Sequence, residues 1–405
     1  MRIARICLSA FFSLGLLDVA GAADIGIASF NLAWAGTTTD FNRHAEVCSA
    51  PAVQWCDTRA KKETGAQEPT SVEEARAKQC QIDFDKASGG PLAGMSVAPC
   101  NAYKLTPKKV VGGAANLYLE KLQGLKETVH TLVAEKQVQI FAFQEVKSVG
   151  VIREILGVHA AKFDTCLANH SAFQTVGFAW VKTLSSAPAS CVPESSLSIK
   201  EKLQDSTSLR TLRPGLSLEL TVEGQPLTIM NVHLKSSCAN LITGGGFPGR
   251  LLTDKDSACQ VLNRQVAPLE SWIERVAAKS PRFVLLGDFN RRLDEEAKQK
   301  VPVNKVRVDG TDPAGVNRAD ADGQVASKYL WQEISDGNPS LHQVLLDESA
   351  VGCKGFVGLD HILLSSTLRA LQPAEPRSVK LPVAQKAGQK IVSSDHCPRV
   401  TVLKF

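Results

Sequence analysis

The sequence lacks several features that would place it in a specialised class of proteins. Beyond the N-terminal segment it has no hydrophobic run long enough to cross a membrane. It has no internal repeat and no low-complexity segment, which excludes a repeat architecture and extended disorder. Aromatic residues make up only 6% of the chain, and no aromatic hairpin for membrane docking stands out. With 405 residues, 44% of them hydrophobic, the chain can bury the core of one large domain or two small ones.

The N-terminus has the pattern of a secretory signal peptide. Arg2 and Arg5 form a basic region, Ile6 to Leu17 is apolar, and Ala20-Gly-Ala22 offers small residues for cleavage. An uncleaved anchor is the alternative, but about twelve apolar residues are too few to span a bilayer comfortably. We therefore expect residues 1–22 to be a signal peptide, cleaved near Ala22, and the protein to be secreted or periplasmic.

The cysteines indicate the same oxidising compartment. The chain has 11 cysteines, and ten remain once Cys7 of the signal segment is set aside. An even number in an exported chain predicts a disulfide framework of up to five bridges. Connectivity does not follow from sequence, although Cys166 with Cys191 and Cys238 with Cys259 are reasonable neighbours. A structural zinc site is disfavoured because paired Cys-x-x-Cys knuckles are absent.

Four short polar clusters lie at or near the ends of apolar, strand-like runs. They are Gln144-Glu145, Asn231-Val-His233, Gly287-Asp-Phe-Asn290 and Ser394-Asp-His396. A carboxylate beside a buried strand loses hydration that a metal, a cation or hydrogen-bond donors must replace. Mg²⁺ is commonly held by one or two carboxylates together with substrate phosphate oxygens, a role that suits Glu145 and Asp395. This mixture of carboxylates, amides and imidazoles favours a divalent metal and a phosphate ester.

The remaining sequence suggests one α/β domain with insertions. A strand at Ile25–Phe30 precedes a polar, cysteine-containing segment at about 36–115, which we interpret as an insertion held by disulfides rather than by an apolar core. Apolar spacing predicts a helix over Leu117–Lys136, and a second helix is expected over Arg264–Ala278. The Gly/Asp-rich stretch Arg291–Gln324 reads as a loop or a second insertion.

Six motifs in this order resemble those of the endonuclease/exonuclease/phosphatase superfamily. They are Asn31 in Ser-Phe-Asn, Gln144-Glu145, Asn231-Val-His-Leu, Gly287-Asp-Phe-Asn290, Leu359-Asp360-His and Ser394-Asp-His396. Apart from the insertions, the resemblance covers nearly all of residues 23–405, which would form a single domain. It implies an α/β fold, a four-layer α/β sandwich of two packed mixed β-sheets flanked by helices. It also implies a metal-dependent phosphodiesterase site at one sheet edge.

The resemblance implies a metal site on three side chains. Glu145 would bind Mg²⁺ or Mn²⁺, and Asn31 and Asp395 would complete or support the coordination. Ca²⁺ is a further candidate ion. The alternative for Glu145 is an ion pair with Lys147, and the alternative for Asn31 is a turn.

The resemblance implies catalytic roles for five more residues. Asp288 and Asn290 would contact the scissile phosphate and the attacking water. His396, aligned by Asp360, would act as general base or as a cation that orients the phosphate. His233 would donate to a phosphoryl oxygen or to the leaving group. These are the proton steps and the charge stabilisation that phosphodiester hydrolysis requires.

Several positions leave alternatives open. His361, beside Asp360, is an alternative site member. Arg291 and Arg292 could grip a nucleic-acid backbone or belong to a solvated loop. Pancreatic-type deoxyribonucleases have a glutamate that orients the histidine matching His233, whereas this chain has Gln174 or a neighbour there, which weakens a close match.

The function predicted first is a secreted nuclease acting on DNA, RNA or both. The formal net charge of +5 permits a polyanionic substrate, and no protein partner is indicated. The alternatives are a secreted lipid or small-molecule phosphodiesterase, as in the sphingomyelinase-like branch, and a binding protein on the same scaffold.

Overall fold

The computed structural model describes residues 24–63, 69–103, 114–202, 209–239, 251–254, 257–298, 329–335, 339–349 and 358–405. The predicted signal peptide and most of Arg291–Gln324 lie outside these ranges. None of the helices within them is long and apolar enough to cross a membrane.

The described chain contains fifteen strands and nine α-helices. The strands are β1 Asp24–Ala35, β2 Val138–Val146, β3 Phe163–Leu167, β4 Thr175–Val181, β5 Ser190–Glu194, β6 Lys200–Lys202, β7 Leu209–Thr211, β8 Gly215–Val222, β9 Gln225–His233, β10 Phe283–Asp288, β11 Leu341–Gln343, β12 Leu345–Ser349, β13 Asp360–Ser365, β14 Arg377–Lys380 and β15 Arg399–Lys404. The helices are α1 Thr38–Ser49, α2 Ser71–Ser88, α3 Pro91–Met95, α4 Ala114–Ala134, α5 Val149–Leu156, α6 Ser257–Lys279, α7 Leu293–Glu296, α8 Leu330–Ile334 and α9 Ser366–Leu371. Short 3₁₀ turns lie at Cys100–Tyr103, Gly157–Lys162, Lys182–Leu184 and Ser195–Leu197.

Two mixed sheets organise the fold. One has seven strands in the order β12-β14-β15-β1-β2-β4-β3, and the other has six in the order β11-β13-β10-β9-β8-β5. β1 is parallel to β2, and β9 is parallel to β10, at the middle of their respective sheets. β1 also pairs antiparallel with β15 near the other end of the chain. A separate ribbon joins β6 and β7.

Three apolar clusters separate the layers. The cluster between the sheets includes Ile27, Phe178, Ile229 and Leu286. The outer face of the seven-stranded sheet packs against α4 and α5, and that of the six-stranded sheet packs against α6. The central strands are apolar on both faces, and amphipathic helices cover the outer face of each sheet. Together these two patterns produce the layering. The predicted four-layer α/β sandwich is confirmed.

The segment between β1 and β2 departs from the prediction. Its described part is largely helical, and disulfides Cys48–Cys100 and Cys56–Cys80 cross-link it. It is not held by disulfides alone, because Phe41, Trp55 and Phe84 are buried in the same cluster as the outer face of the seven-stranded sheet. The polar composition concealed a few large apolar residues at helical spacing, which bury this segment against the main domain.

Both disulfides suggested from sequence neighbours are present. Cys166 is bonded to Cys191, and Cys238 to Cys259. Cys397 is also disulfide-bonded. Cys166–Cys191 joins β3 in one sheet to β5 in the other, so it fastens the edges of the sandwich together.

The two helices predicted from apolar spacing are present. The predicted Leu117–Lys136 corresponds to α4, and the predicted Arg264–Ala278 lies within the longer α6. The polar stretch that begins at Arg291 is not wholly a loop, because Leu293–Glu296 forms α7.

Candidate active site

The central strands bring the polar clusters together at one edge of the sandwich. In the seven-stranded sheet Asn31 lies opposite Gln144, the residue before Glu145. In the six-stranded sheet Asp288 lies between His233 on one side and Asp360 on the other. Because parallel neighbours end at the same edge of a sheet, side chains far apart in sequence become neighbours here.

The backbone at this edge adopts conformations that aim individual side chains. Glu145 has φ 56° and sits at an irregularity in the pairing of β2 with β4. Asn290 has φ 52°, and Gly287 has φ 135°, a value that strongly favours glycine. Backbone strain of this kind persists only where the surrounding structure holds it, and it clusters at functional sites.

Asp288 is the centre of the site. Asn31 Nδ2 donates to Asp288 Oδ2 at 3.0 Å, and the backbone N–H of Asn290 donates to Asp288 Oδ1 at 2.8 Å. The same Oδ2 lies 3.4 Å from His233 Nε2 and 3.8 Å from His396 Nε2. Burial raises the pKa of Asp288 to about 6, although the charge of His396 opposes the shift. This carboxyl can therefore exchange a proton close to neutral pH.

His396 and Asp360 form a buried pair. His396 Nδ1 lies 3.0 Å from Asp360 Oδ1 and 3.1 Å from Oδ2. Burial lowers the pKa of His396, but the charges of Asp360 and Asp288 outweigh it and raise the pKa to about 10. The pKa of Asp360 lies below its usual value because the cations of His396 and Lys380 outweigh the effect of burial. His396 is thus an imidazolium at neutral pH.

Glu145 and His233 form the second part of the site. Glu145 Oε1 lies 3.7 Å from His233 Nε2, and the Glu145 side chain keeps 25% of its exposure. Burial raises the pKa of Glu145, and the neighbouring charge of Asp395 acts in the same direction. Burial, together with the charges of Arg213 and His396, holds the pKa of His233 well below its usual value. His233 is therefore neutral, and its Nε2 faces two carboxylates, which favours the proton on that nitrogen.

The residues present fit a divalent cation. Glu145 and Asp395 are carboxylates close enough for their charges to interact, and Asp395 is exposed. Asn31 adds an amide oxygen, which also accepts from the Ala33 backbone N–H at 2.9 Å. Two mutually repelling carboxylates at a solvent-accessible edge are the hard oxygen donors that Mg²⁺, Mn²⁺ or Ca²⁺ would neutralise. Asp288, Asp360 and His396 form a separate cluster whose ligand atoms lie within 4.8 Å of one another. The carboxylates of that cluster already accept hydrogen bonds from Asn31, Lys380 and His396.

Two motif residues bond the sheets to each other instead of facing the cleft. Gln144 Nε2 donates to Asn231 Oδ1 at 2.8 Å across the sandwich. Asn231 Nδ2 donates to the carbonyl oxygens of Phe143 and Gly177, each at 3.0 Å. Both side chains are fully buried, so they fix the spacing of the strands that carry Glu145 and His233.

The contacts of Lys147, His361 and Gln174 bear on the alternatives predicted for the site. Lys147 Nζ donates to the Ala172 carbonyl at 2.9 Å, while the described ion-pair contact of Glu145 is with His233. His361 is buried, with Nε2 within 2.8 Å of the Arg291 and Gly358 carbonyl oxygens, away from the Asp288 contacts. The side-chain oxygen of Gln174 and Nδ1 of His233 are both buried without a hydrogen-bond partner in the described part of the chain. Gln174 therefore does not orient His233 as the glutamate of pancreatic-type enzymes does.

The interpretation of Arg291 as a phosphate-gripping or solvated residue is wrong. Its side chain is fully buried and forms an ion pair with the equally buried Glu296. It also donates to the Cys238 carbonyl. Only Arg292, whose side chain is 42% exposed, is accessible to a ligand. The guanidinium of Arg291 thus organises the loop after β9.

Three buried cations support the site and were missed in the sequence. Lys121 Nζ on α4 donates to the carbonyl oxygens of Leu32, Ala33 and Ser393. Arg213 donates to the carbonyl oxygens of His233 and Leu234. Lys380 Nζ donates to Asp360 Oδ2 at 2.8 Å. Lys121 carried a readable signal, because it falls on the apolar face of its helix between Leu117 and Leu125.

No family model matches this chain, and no curated protein does. Among solved structures, it is similar to D. rerio TDP2 complexed with a single-strand DNA product, at 12% identity over 70% of this chain and 93% of that chain, with a TM-score of 0.41. It is also similar to an endonuclease/exonuclease/phosphatase family protein from Bacteroides thetaiotaomicron, at 12% identity over 73% and 91% of the two chains, with a TM-score of 0.43. A protein of the same family from Leptotrichia buccalis has 15% identity over 70% and 94%, with a TM-score of 0.37. Similarities at this level assign neither an activity nor a residue role to this chain, whose sandwich is nonetheless the fold that the ordered motifs led us to expect.

Proposed function

We propose that this protein is a divalent-metal-dependent phosphodiester hydrolase, and that its substrate is a nucleic acid. The observation that carries the proposal is the convergence of six side chains and the backbone N–H of Asn290 in one contact network, with Asp395 at its exposed margin. The network comprises Asn31, Glu145, His233, Asp288, Asn290, Asp360 and His396. A fold requires no such set of buried polar groups from both sheets, and burying them opposes folding unless each is paired.

Glu145, Asn31 and Asp395 are the residues that would hold the metal. When bound, the cation supplies Lewis-acid stabilisation of the charge that develops on the phosphoryl oxygens. The partial exposure of Glu145 and the exposure of Asp395 leave room for the waters that Mg²⁺ keeps.

The side chains of this chain supply the other requirements of hydrolysis. His396, protonated and held by Asp360, offers Nε2–H to a phosphoryl oxygen, so it acts as the orienting cation of the two roles considered. Asp288, with its pKa near neutrality, accepts a proton from the attacking water, and Asn290 beside it orients that water. Neutral His233 donates a hydrogen bond from Nε2–H to a phosphoryl oxygen or to the leaving oxygen, and the proton that Asp288 has accepted from water is the one available to the leaving group.

The composition favours a nucleic acid over a lipid. The net charge of +5 suits a polyanion. The exposed large hydrophobic side chains of the described ranges are Val, Ile and Leu, with no aromatic residue among them. An aromatic surface for membrane docking is therefore missing from the part of the chain that the structure describes. Secretion is part of the proposal, supported by the N-terminal sequence and by the disulfides.

The test is hydrolysis of plasmid DNA, single-stranded RNA and sphingomyelin by the purified mature protein, with Mg²⁺ and then with EDTA. We expect cleavage of a nucleic acid with Mg²⁺ and its loss with EDTA. Asp288→Ala is the control for a contaminating nuclease, since it removes the centre of the site. Cleavage of sphingomyelin alone would replace the proposed substrate with a lipid. Inactivity on all three substrates would contradict the proposal.

A further inference from the structure

Lys380 reaches from one sheet to Asp360 of the other, the carboxylate that contacts His396. It is the last residue of β14 in the seven-stranded sheet, whereas Asp360 opens β13 in the six-stranded sheet. Lys380 Nζ donates to Asp360 Oδ2 at 2.8 Å, and each side chain is 1% exposed. This buried ion pair therefore crosses the sandwich and ends on the carboxylate that orients His396.

The placement of Lys380 reverses the usual pattern of a strand. Ser378 and Lys380 on β14 are buried, while Val379 between them is 37% exposed. Desolvating an ammonium group costs several kcal/mol before its partner compensates, so a buried lysine is weak evidence of a stabilising role. Lys380 therefore occupies a buried position of β14 where an aliphatic side chain would stabilise the fold without the desolvation penalty.

A second cation grips the same residue. Arg399 lies directly opposite Lys380 in the pairing of β14 with β15. Its guanidinium donates to the Asp360 carbonyl, to Ser378 Oγ and to the Val344 carbonyl. Asp360 is thus held at its backbone by Arg399 and at its carboxylate by Lys380.

We propose that Lys380 is a positioning residue for the proposed reaction and acts through Asp360 on His396. Asp360 Oδ2 accepts from Lys380 and lies 3.1 Å from His396 Nδ1, so the lysine fixes the rotation of the carboxylate against the imidazole. The ring is then held with Nε2 3.8 Å from Asp288 Oδ2, towards the place where the phosphate would lie. This inference rests on the proposed function.

A double-mutant cycle tests it with Lys380→Met, Asp360→Asn and the double variant. We expect Lys380→Met to lower kcat about 10- to 100-fold with KM unchanged, as small misplacements of catalytic groups do. Asp360→Asn should lower kcat at least as much. The double variant should be no slower than Asp360→Asn alone, because a residue that acts through Asp360 has no further effect once the carboxylate is gone.

A control variant and the double variant distinguish a positioning role of Lys380 from a loss of folding. Lys404→Met removes a lysine whose side chain is 44% exposed on neighbouring β15, and it should leave kcat unchanged. If Lys380→Met fails to fold because Asp360 loses its partner, the double variant removes both charges and is compared with Asp360→Asn by itself. A double variant at least 10-fold slower than Asp360→Asn would overturn the inference while the wild type remains an active phosphodiesterase. An inactive wild type would overturn the proposed function and this inference together.

Discussion

Gly287→Ala tests how closely the strands carrying His233 and Asp288 approach each other. Gly287 pairs with Val232, the residue before His233, and itself precedes Asp288. A Cβ at position 287 would lie 2.0 Å from the Val232 carbonyl oxygen and 2.9 Å from the Val232 nitrogen. These are backbone atoms within a ladder, so they cannot yield without shifting the strand.

The expected loss of unfolding free energy in Gly287→Ala has two parts. A non-glycine residue at φ 135° adds about 1–3 kcal/mol of backbone strain. Displacing a packed neighbour adds a further 1–3 kcal/mol or so. We therefore expect Gly287→Ala to lose about 2–6 kcal/mol of unfolding free energy, a large share of the 5–15 kcal/mol or so typical of a domain.

Gly224→Ala is the matched control. Gly224 also has positive φ, 73°, in the turn between β8 and β9, but an added Cβ meets nothing within 4 Å. Gly224→Ala should lose only the unfolding free energy that comes from backbone strain, about 1–2 kcal/mol. Urea unfolding of both variants measures the difference. Equal losses at the two positions would refute the close approach of β9 and β10 at the site.

Further predictions concern the site, the helical segment and the disulfides. His396→Ala and Asp288→Ala should each lower turnover by several orders of magnitude, because both act on the reaction; near-wild-type turnover in steady-state assays would contradict their roles. Burial lowers the pKa of His44 to about 4, so the unfolded chain binds its proton first as the pH falls. Stability from His44 is complete above about pH 6.5 and declines towards pH 4, by up to about 3 kcal/mol relative to His44→Phe; denaturant titrations that showed a pH-independent difference would exclude this. Reducing agent should lower the melting temperature, because each bridge contributes about 2–4 kcal/mol, and an unchanged value would count against the four bridges for which both cysteines are described.

The strand ends of the site could be predicted because their signal is local. Where an apolar run stops at a carboxylate or an amide, as at Glu145 and Asp288, the run itself predicts a buried strand and the polar residue predicts where that strand ends. The resemblance of the ordered motifs to the endonuclease/exonuclease/phosphatase superfamily then implied which strand ends would meet. The helices followed from apolar spacing in the same way, with boundaries displaced by a few residues.

The supporting cations could not be predicted in this way. Lys380 and Arg213 are buried because of partners far away in sequence, and nothing beside them distinguishes them from surface residues. Arg291 shows the converse error, since its position after Asn290 suggested solvent, whereas Glu296 draws it into the interior. The sequence therefore reveals the buried carboxylates of the site more readily than the buried cations that pair with them.

The pairing of β1 with β15 has a consequence for how the protein folds. Ser29 pairs with Arg399, so Asn31 and His396 are brought together by one of the longest loop closures that the chain can make. Contacts of such high sequence separation make folding slow, because the entropy of closing the loop is lost before the contacts form. A chain that ends before His396 lacks both that histidine and β15, the neighbour of β1 on that side. Competence for the proposed reaction is therefore a late event, reached only after the two ends of the described chain have met.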